Sequence, residues 1–170
     1  MSRRVVIGID PGKMTGVYLF CSDTAVDAPL KTEGFEVRAE NMPFFLNGMF
    51  HLVTTHYGGF CHVAIERFII TSRTAKLSQQ SDALEVTGMV KAVAAIQALP
   101  DVRQYLKANL KFASDDMLRS VGWHTPSMRH ANDAARQAFA LLKDVDYPAW
   151  AQLVKDGKLR AEDGRTHDHD

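Results

Sequence analysis

Cysteine is nearly absent: the 170 residues hold two, Cys21 and Cys61, in or beside runs that read as strands and with no metal-ligand spacing. A zinc ribbon and a disulfide framework are thereby excluded, and reduced core thiols in a cytoplasmic setting are expected. Long apolar runs are missing too. None approaches the roughly 18 residues that suggest a membrane span, and Arg3-Arg4 leads directly into a short β-branched run ending in an acid rather than into a leader-type apolar segment, so no membrane partner is expected. Nor is there any excess of one charge, since Lys plus Arg and Asp plus Glu are 20 each. Bulk charge therefore does not point to nucleic acid, and a local basic face would have to serve instead. Repeats, low-complexity tracts and interdomain linkers are also lacking. With 46% hydrophobic residues the chain can bury a proper core. One domain over residues 1–158 is expected, followed by a tail, 159–170, whose lack of apolar periodicity reads as disorder.

What is present begins with Val5-Val6-Ile7, short and β-branched, which reads as a buried strand surfacing at Asp10. Pro11-Gly12 turns the chain, and Val17-Tyr18-Leu19-Phe20 reads as the antiparallel return. Leu30 to Arg38 is a third strand with Phe35 and Val37 on one face. Asn41 ahead of Met42-Pro43 reads as the cap of a helix to His56. Cys61 to Glu66 is a second buried strand that also ends on a carboxylate. A polar loop, Thr71 to Gln80, then leads into a helix from Asp82 to Ala98, and Leu110 to Ala113 is expected as the last strand. Ser114 starts a brief helix that Gly122 stops. Thr125-Pro126 signals a further helix running through His130 and Asp133 to Leu142, with a stripe of small residues at Ala131, Ala134, Ala135 and Ala138. From Tyr147-Pro148 one or two more helical turns are expected.

The order is three antiparallel strands, helix, strand, helix, strand, then helices: an α/β fold with a mixed five-stranded sheet flanked by helices. If the first and fourth strands are parallel neighbours, Asp10 and Glu66 emerge side by side at one sheet edge. His130 and Asp133, at i and i+3, point to nearly the same side of their helix. An oxygen-rich set of this kind suits Mg²⁺ or Mn²⁺ rather than zinc.

Gly8-Ile9-Asp10-Pro11-Gly12 with Thr15-Gly16, then Ala64-Ile65-Glu66, then His130-Ala131-Asn132-Asp133-Ala134 together resemble the RuvC family of Holliday junction resolvases, of the ribonuclease H-like superfamily. The resemblance runs from Val5 to Leu142 and includes the helix core Glu85 to Val90. It is greater to phage-encoded members, which implies a host-cell cytoplasm. It implies a ribonuclease H-like sheet and a divalent-metal-dependent endonuclease that resolves four-way junctions and related branched DNA, leaving 5′-phosphate and 3′-hydroxyl ends. Two ions, Mg²⁺ or Mn²⁺, would be held by Asp10, Glu66, His130 and Asp133, with Asp10 bridging them and His130 acting as ligand or general base. His130 stands where aspartate is common in the family. The family places a junction-wedging aromatic just past the catalytic glutamate; Phe68, two positions after Glu66, stands one position earlier than in the best-known pattern and is the residue here that the resemblance offers for that role.

DNA contact is expected from Lys13, Arg67, Arg73, Lys76, Arg119 and Arg129, each near a candidate catalytic residue or a loop on the same edge. The helix start at Ser114, with Arg119 one turn on, is a further place for a phosphate. Gly88, in the middle of a helix where glycine costs about 1 kcal/mol against alanine, needs a packing reason; the resemblance implies close helix approach in a twofold homodimer, and intrachain packing against the sheet is the other explanation. Two competing functions remain open. An actin-like ATPase would use the Asp-Pro-Gly turn for phosphate, but the chain is short for two domains and shows no second phosphate loop. A junction-binding protein with a decayed site would not need the acidic set.

Overall fold

The computed structural model describes residues 4–22, 32–57, 61–69, 79–99 and 102–166. Strands β1 (Arg4–Asp10), β2 (Met14–Ser22) and β3 (Thr32–Arg38) form an antiparallel meander. Helix α1 (Met42–Leu52) crosses over to β4 (Cys61–Glu66), and α2 (Gln79–Ile96) leads to β5 (Arg103–Tyr105). Helices α3 (Asp115–Ser120), α4 (Arg129–Val145) and α5 (Tyr147–Thr166) complete the chain. The sheet order is β3-β2-β1-β4-β5, with β4 and β5 parallel to β1. This is the ribonuclease H-like arrangement that the order of motifs implies.

Alternation along the strands sorts two cores onto the two sheet faces. Val5, Ile7 and Ile9 pack with Val63 and Ile65 against Leu46 and Phe50 of α1 and Val86 and Val90 of α2. Val6, Tyr18, Phe20 and Ala64 face the other way, against the alanines of α4 and the fully buried Trp123 and Phe139. Asp10 and Glu66 share the parity of Val6 and Ala64, so their side chains leave the sheet on the α4 side. Glycine decides how near α4 can come. A Cβ on Gly8 would collide with the carbonyl of Ala134, and one on Gly16 with the carbonyl of His130.

Several elements differ from the sequence-based expectation. The last strand is Arg103–Tyr105, while Lys107–Leu110 makes a 3₁₀ turn where a strand from Leu110 was expected. Leu110 and Ala113 are both buried, a spacing of three that belongs to a turn, and the largely exposed Arg103-Gln104-Tyr105 has no apolar alternation to betray it. Helix α1 passes at Val53 into a π-turn through Tyr57, and Asn41 precedes it without a side-chain capping bond. Helix α4 starts at Arg129, not at Thr125-Pro126. The peptide groups of Thr125 are taken by Asn132, whose Oδ1 accepts from Thr125 N–H at 2.8 Å and whose Nδ2 donates to Thr125 O at 2.9 Å. Ser127, at φ 64°, then breaks any helical path. Helix α5 runs to Thr166, well past the two turns expected and past residue 159, where disorder was expected. Lys, Leu, Arg, Ala and Glu extend a helix once it is nucleated, and that needs no apolar stripe. The expected loop from Thr71 falls mostly outside the described residues. Among the described residues no helix is long and apolar enough to cross a membrane.

Candidate active site

Strand pairing places the first two acids. Ile9 is level with Ile65 across the parallel β1–β4 pair, so Asp10 and Glu66 are the next residues up on adjacent strands. Helix α4 brings the other two. It crosses β1 and β2 over Gly8 and Gly16, and its first turn is tied to the sheet by Glu36 of β3, whose Oε1 accepts from His130 N–H at 2.8 Å. The His130 ring then lies with Nδ1 at 2.9 Å from Asp10 Oδ2.

The four residues line one cleft of about 900 Å³ together with Lys13, Phe68, Lys107 and Arg129. Asp10 is buried, 8% exposed, and Glu66 is half-buried. Burial is the largest cause that pushes the Glu66 carboxyl up to about 7, followed by its hydrogen bond with Asp10 and the repulsion of that neighbour's charge, with Lys107 opposing. Asp133 stands in a different environment. Its Oδ2 takes Lys107 Nζ at 3.1 Å and its Oδ1 takes Arg136 Nη1. Arg136 itself is clamped, since Nε donates to Ala113 O at 3.0 Å and Nη2 pairs with Asp115 at 2.5 Å. Lys107, Arg129, Asp133 and Arg136 also border a second concavity of about 470 Å³ that continues past Asp133 towards His124.

The structure thus brings Asp10, Glu66, His130 and Asp133 to one place and sets Lys13, Phe68 and Arg129 beside them. Arg67 is exposed just beyond β4, outside the cleft lining, and Arg119 is on α3, paired with Asp116 at 2.7 Å. Arg73 and Lys76 lie outside the described residues. Sequence reasoning finds no cationic partner for the acids and so misses Lys107 and Arg136. Arg136 was legible, at i+3 from Asp133 on one helix face. Lys107 carries no local signal, because it arrives through the turn after β5.

Among the described residues no three His, Cys, Asp or Glu side chains are close enough to hold a metal ion between them. The donor set nevertheless fits a hard cation. Asp10 and Glu66 are carboxyls at the ends of adjacent strands, lining the same cleft, and Mg²⁺ is commonly held by one or two carboxylates, with water and substrate phosphate completing its shell. Neither a protein-family model nor a curated protein sequence matches the chain. In fold the chain is similar to Thermus thermophilus RuvC, solved in complex with a Holliday junction substrate: the TM-score is 0.58 and the identity 19% over 84% of this chain and 96% of that one.

Proposed function

We propose that the chain is a divalent-metal-dependent endonuclease that resolves Holliday junctions and related branched DNA by paired phosphodiester hydrolysis, leaving 5′-phosphate and 3′-hydroxyl ends. The observation that carries this reading is the meeting of Asp10, Glu66, His130 and Asp133 at the mouth of one cleft, from three separate elements. Asp10 and Glu66 would hold Mg²⁺ or Mn²⁺, which would lower the pKa of attacking water and offset charge developing on the phosphate. His130 is set up as the base. With Asp10 ionised and so able only to accept, Nδ1 would donate to it, which leaves Nε2 as the nitrogen able to take a proton. Lys13, Arg129 and Lys107 line the cleft and would meet the DNA backbone, with Phe68 at its rim, 37% exposed, as the candidate for unstacking a branch-point base. Arg67, Arg73, Lys76 and Arg119 remain candidates for more distant phosphates. A labelled four-way junction incubated with Mg²⁺ or Mn²⁺ tests the reading: paired nicks in two opposing strands are expected, and a junction that is bound but stays intact overturns it.

A twofold substrate cut on two strands calls for two sites, and α2 offers the surface for a second copy of the chain. A Cβ on Gly88 would meet nothing within 4 Å, so packing against the sheet does not explain this glycine. Instead Gly88 lies on an exposed ridge with Leu84, Ala92 and Ile96 at steps of four, shallow in the middle, with Leu84 43% and Ile96 79% exposed. Leu84→Glu with Ile96→Glu is expected to convert a dimer to a monomer in size-exclusion chromatography with light scattering, while changing the monomer's stability by no more than about 0.5 kcal/mol per site. A wild-type chain that already runs as a monomer would remove the interface.

A further inference from the structure

Asp133 differs from Asp10 and Glu66 in already having its counter-charge. Each of its carboxylate oxygens is taken by a cation of the chain, Oδ1 by Arg136 and Oδ2 by Lys107. Among the described residues neither Asp10 nor Glu66 is in ion-pair contact with a lysine or arginine; Asp10 has the His130 ring on Oδ2 alone. We infer that Arg136 and Lys107 are the built-in counter-cations of Asp133, so that the site takes one divalent ion, at Asp10 and Glu66, where the sequence suggests two. The inference rests on the metal-dependent reading above and specifies how many ions that site holds.

The two cations act differently. Arg136 cannot readily swing aside: its side chain is 21% exposed, and its other donors are committed to Ala113 O and Asp115. Its planar fork matches these acceptors, and a lysine could not reproduce the arrangement. Lys107 is 60% exposed, reaches Asp133 from the solvent side and is the part that could be displaced. A second dication at Asp133 would have to expel the ammonium and then stand next to a fixed guanidinium. Like charges at such short range in a partly buried site repel strongly. Asp133, 12% exposed and doubly paired, would then orient Lys107 beside the cleft and anchor on Arg136, with no ion of its own to bind.

Counting Mn²⁺ on the 170-residue chain by isothermal titration calorimetry, checked by electron paramagnetic resonance of the unbound ion, tests this directly. One ion per chain is expected for the wild type. Lys107→Gln, a change at an exposed side chain that circular dichroism should show to be folded, is expected to gain a second ion at least tenfold weaker than the first. Two ions on the wild type overturn the one-ion assignment and leave the metal-dependent reading standing. One ion on both chains overturns the part given to Lys107. No ion on the wild type overturns the metal-dependent reading itself, and the inference falls with it.

Discussion

Asp10→Asn is expected to lower junction cleavage by roughly a thousandfold or more while leaving junction binding within about twofold of wild type. The substitution keeps the shape of a residue that is 8% exposed, so β1, its pairing with β2 and the approach of α4 should survive. What it removes is the charge. An amide can still take a hydrogen bond from His130, but it cannot offset a dication or hold the imidazolium that forms when the base accepts a proton. Binding should persist because the positive groups along the cleft are untouched, and its steep loss with salt should be unchanged. The same variant carries a stability signature that a plain loss of fold would not. Glu66 is raised from its usual 4.5 to about 7, partly by the hydrogen bond and charge of Asp10. A carboxyl that holds its proton more firmly folded than unfolded costs nothing below the unfolded value and its full cost above the folded one. Wild-type stability should therefore fall as pH rises from about 4.5 to 7. Removing the Asp10 charge weakens that cause, so Asp10→Asn should flatten the fall and melt a few degrees above wild type at pH 8 in EDTA. A lower melting temperature there, or full cleavage activity, would make Asp10 a structural residue.

The parts of this site that follow local rules could be read from the chain, and the parts set by tertiary arrival could not. Asp10 and Glu66 each close a β-branched run, and one crossover helix makes parallel neighbours of their strands; the observed register, Ile9 with Ile65, follows from that. His130 and Asp133 share a helix face by spacing alone. Strand β5 escaped notice because an edge strand of three part-exposed residues buries nothing that periodicity can detect. The start of α4 was misplaced for another reason: Thr125-Pro126 is a valid local helix signal, and Asn132 overrides it from seven residues away by engaging both peptide groups of Thr125. Lys107 and Arg136 bear most on the proposed ion count. Their effect depends on both oxygens of Asp133 being reached at once, from a turn and from a helix, which no single stretch of sequence records.

Among the described glycines, Gly16→Ala is expected to be the most damaging change to alanine, costing about 3 kcal/mol or more and removing cleavage beyond what unfolding accounts for. The added Cβ would overlap the carbonyl of His130 and lie 2.8 Å from the Ala131 nitrogen. These are backbone atoms in the first turn of α4, so no side-chain rotation relieves the overlap, and the helix must lift from the sheet. Lifting it strains the Glu36 bond to His130 N–H, draws the imidazole from Asp10, and shifts Asp133 away from Glu66. Gly8→Ala should behave alike through Ala134 and Ala138, one and two turns further along the same helix. Gly88→Ala supplies the contrast. Its methyl enters open space mid-helix, and the lower entropy of the unfolded chain should stabilise the monomer by about 0.5–1 kcal/mol. Urea unfolding of the three variants, read as midpoint shifts at constant slope, separates the cases. If Gly16→Ala unfolds at the wild-type midpoint and still cuts junctions, α4 does not lie against β1 and β2, and the convergence of the four site residues goes with it.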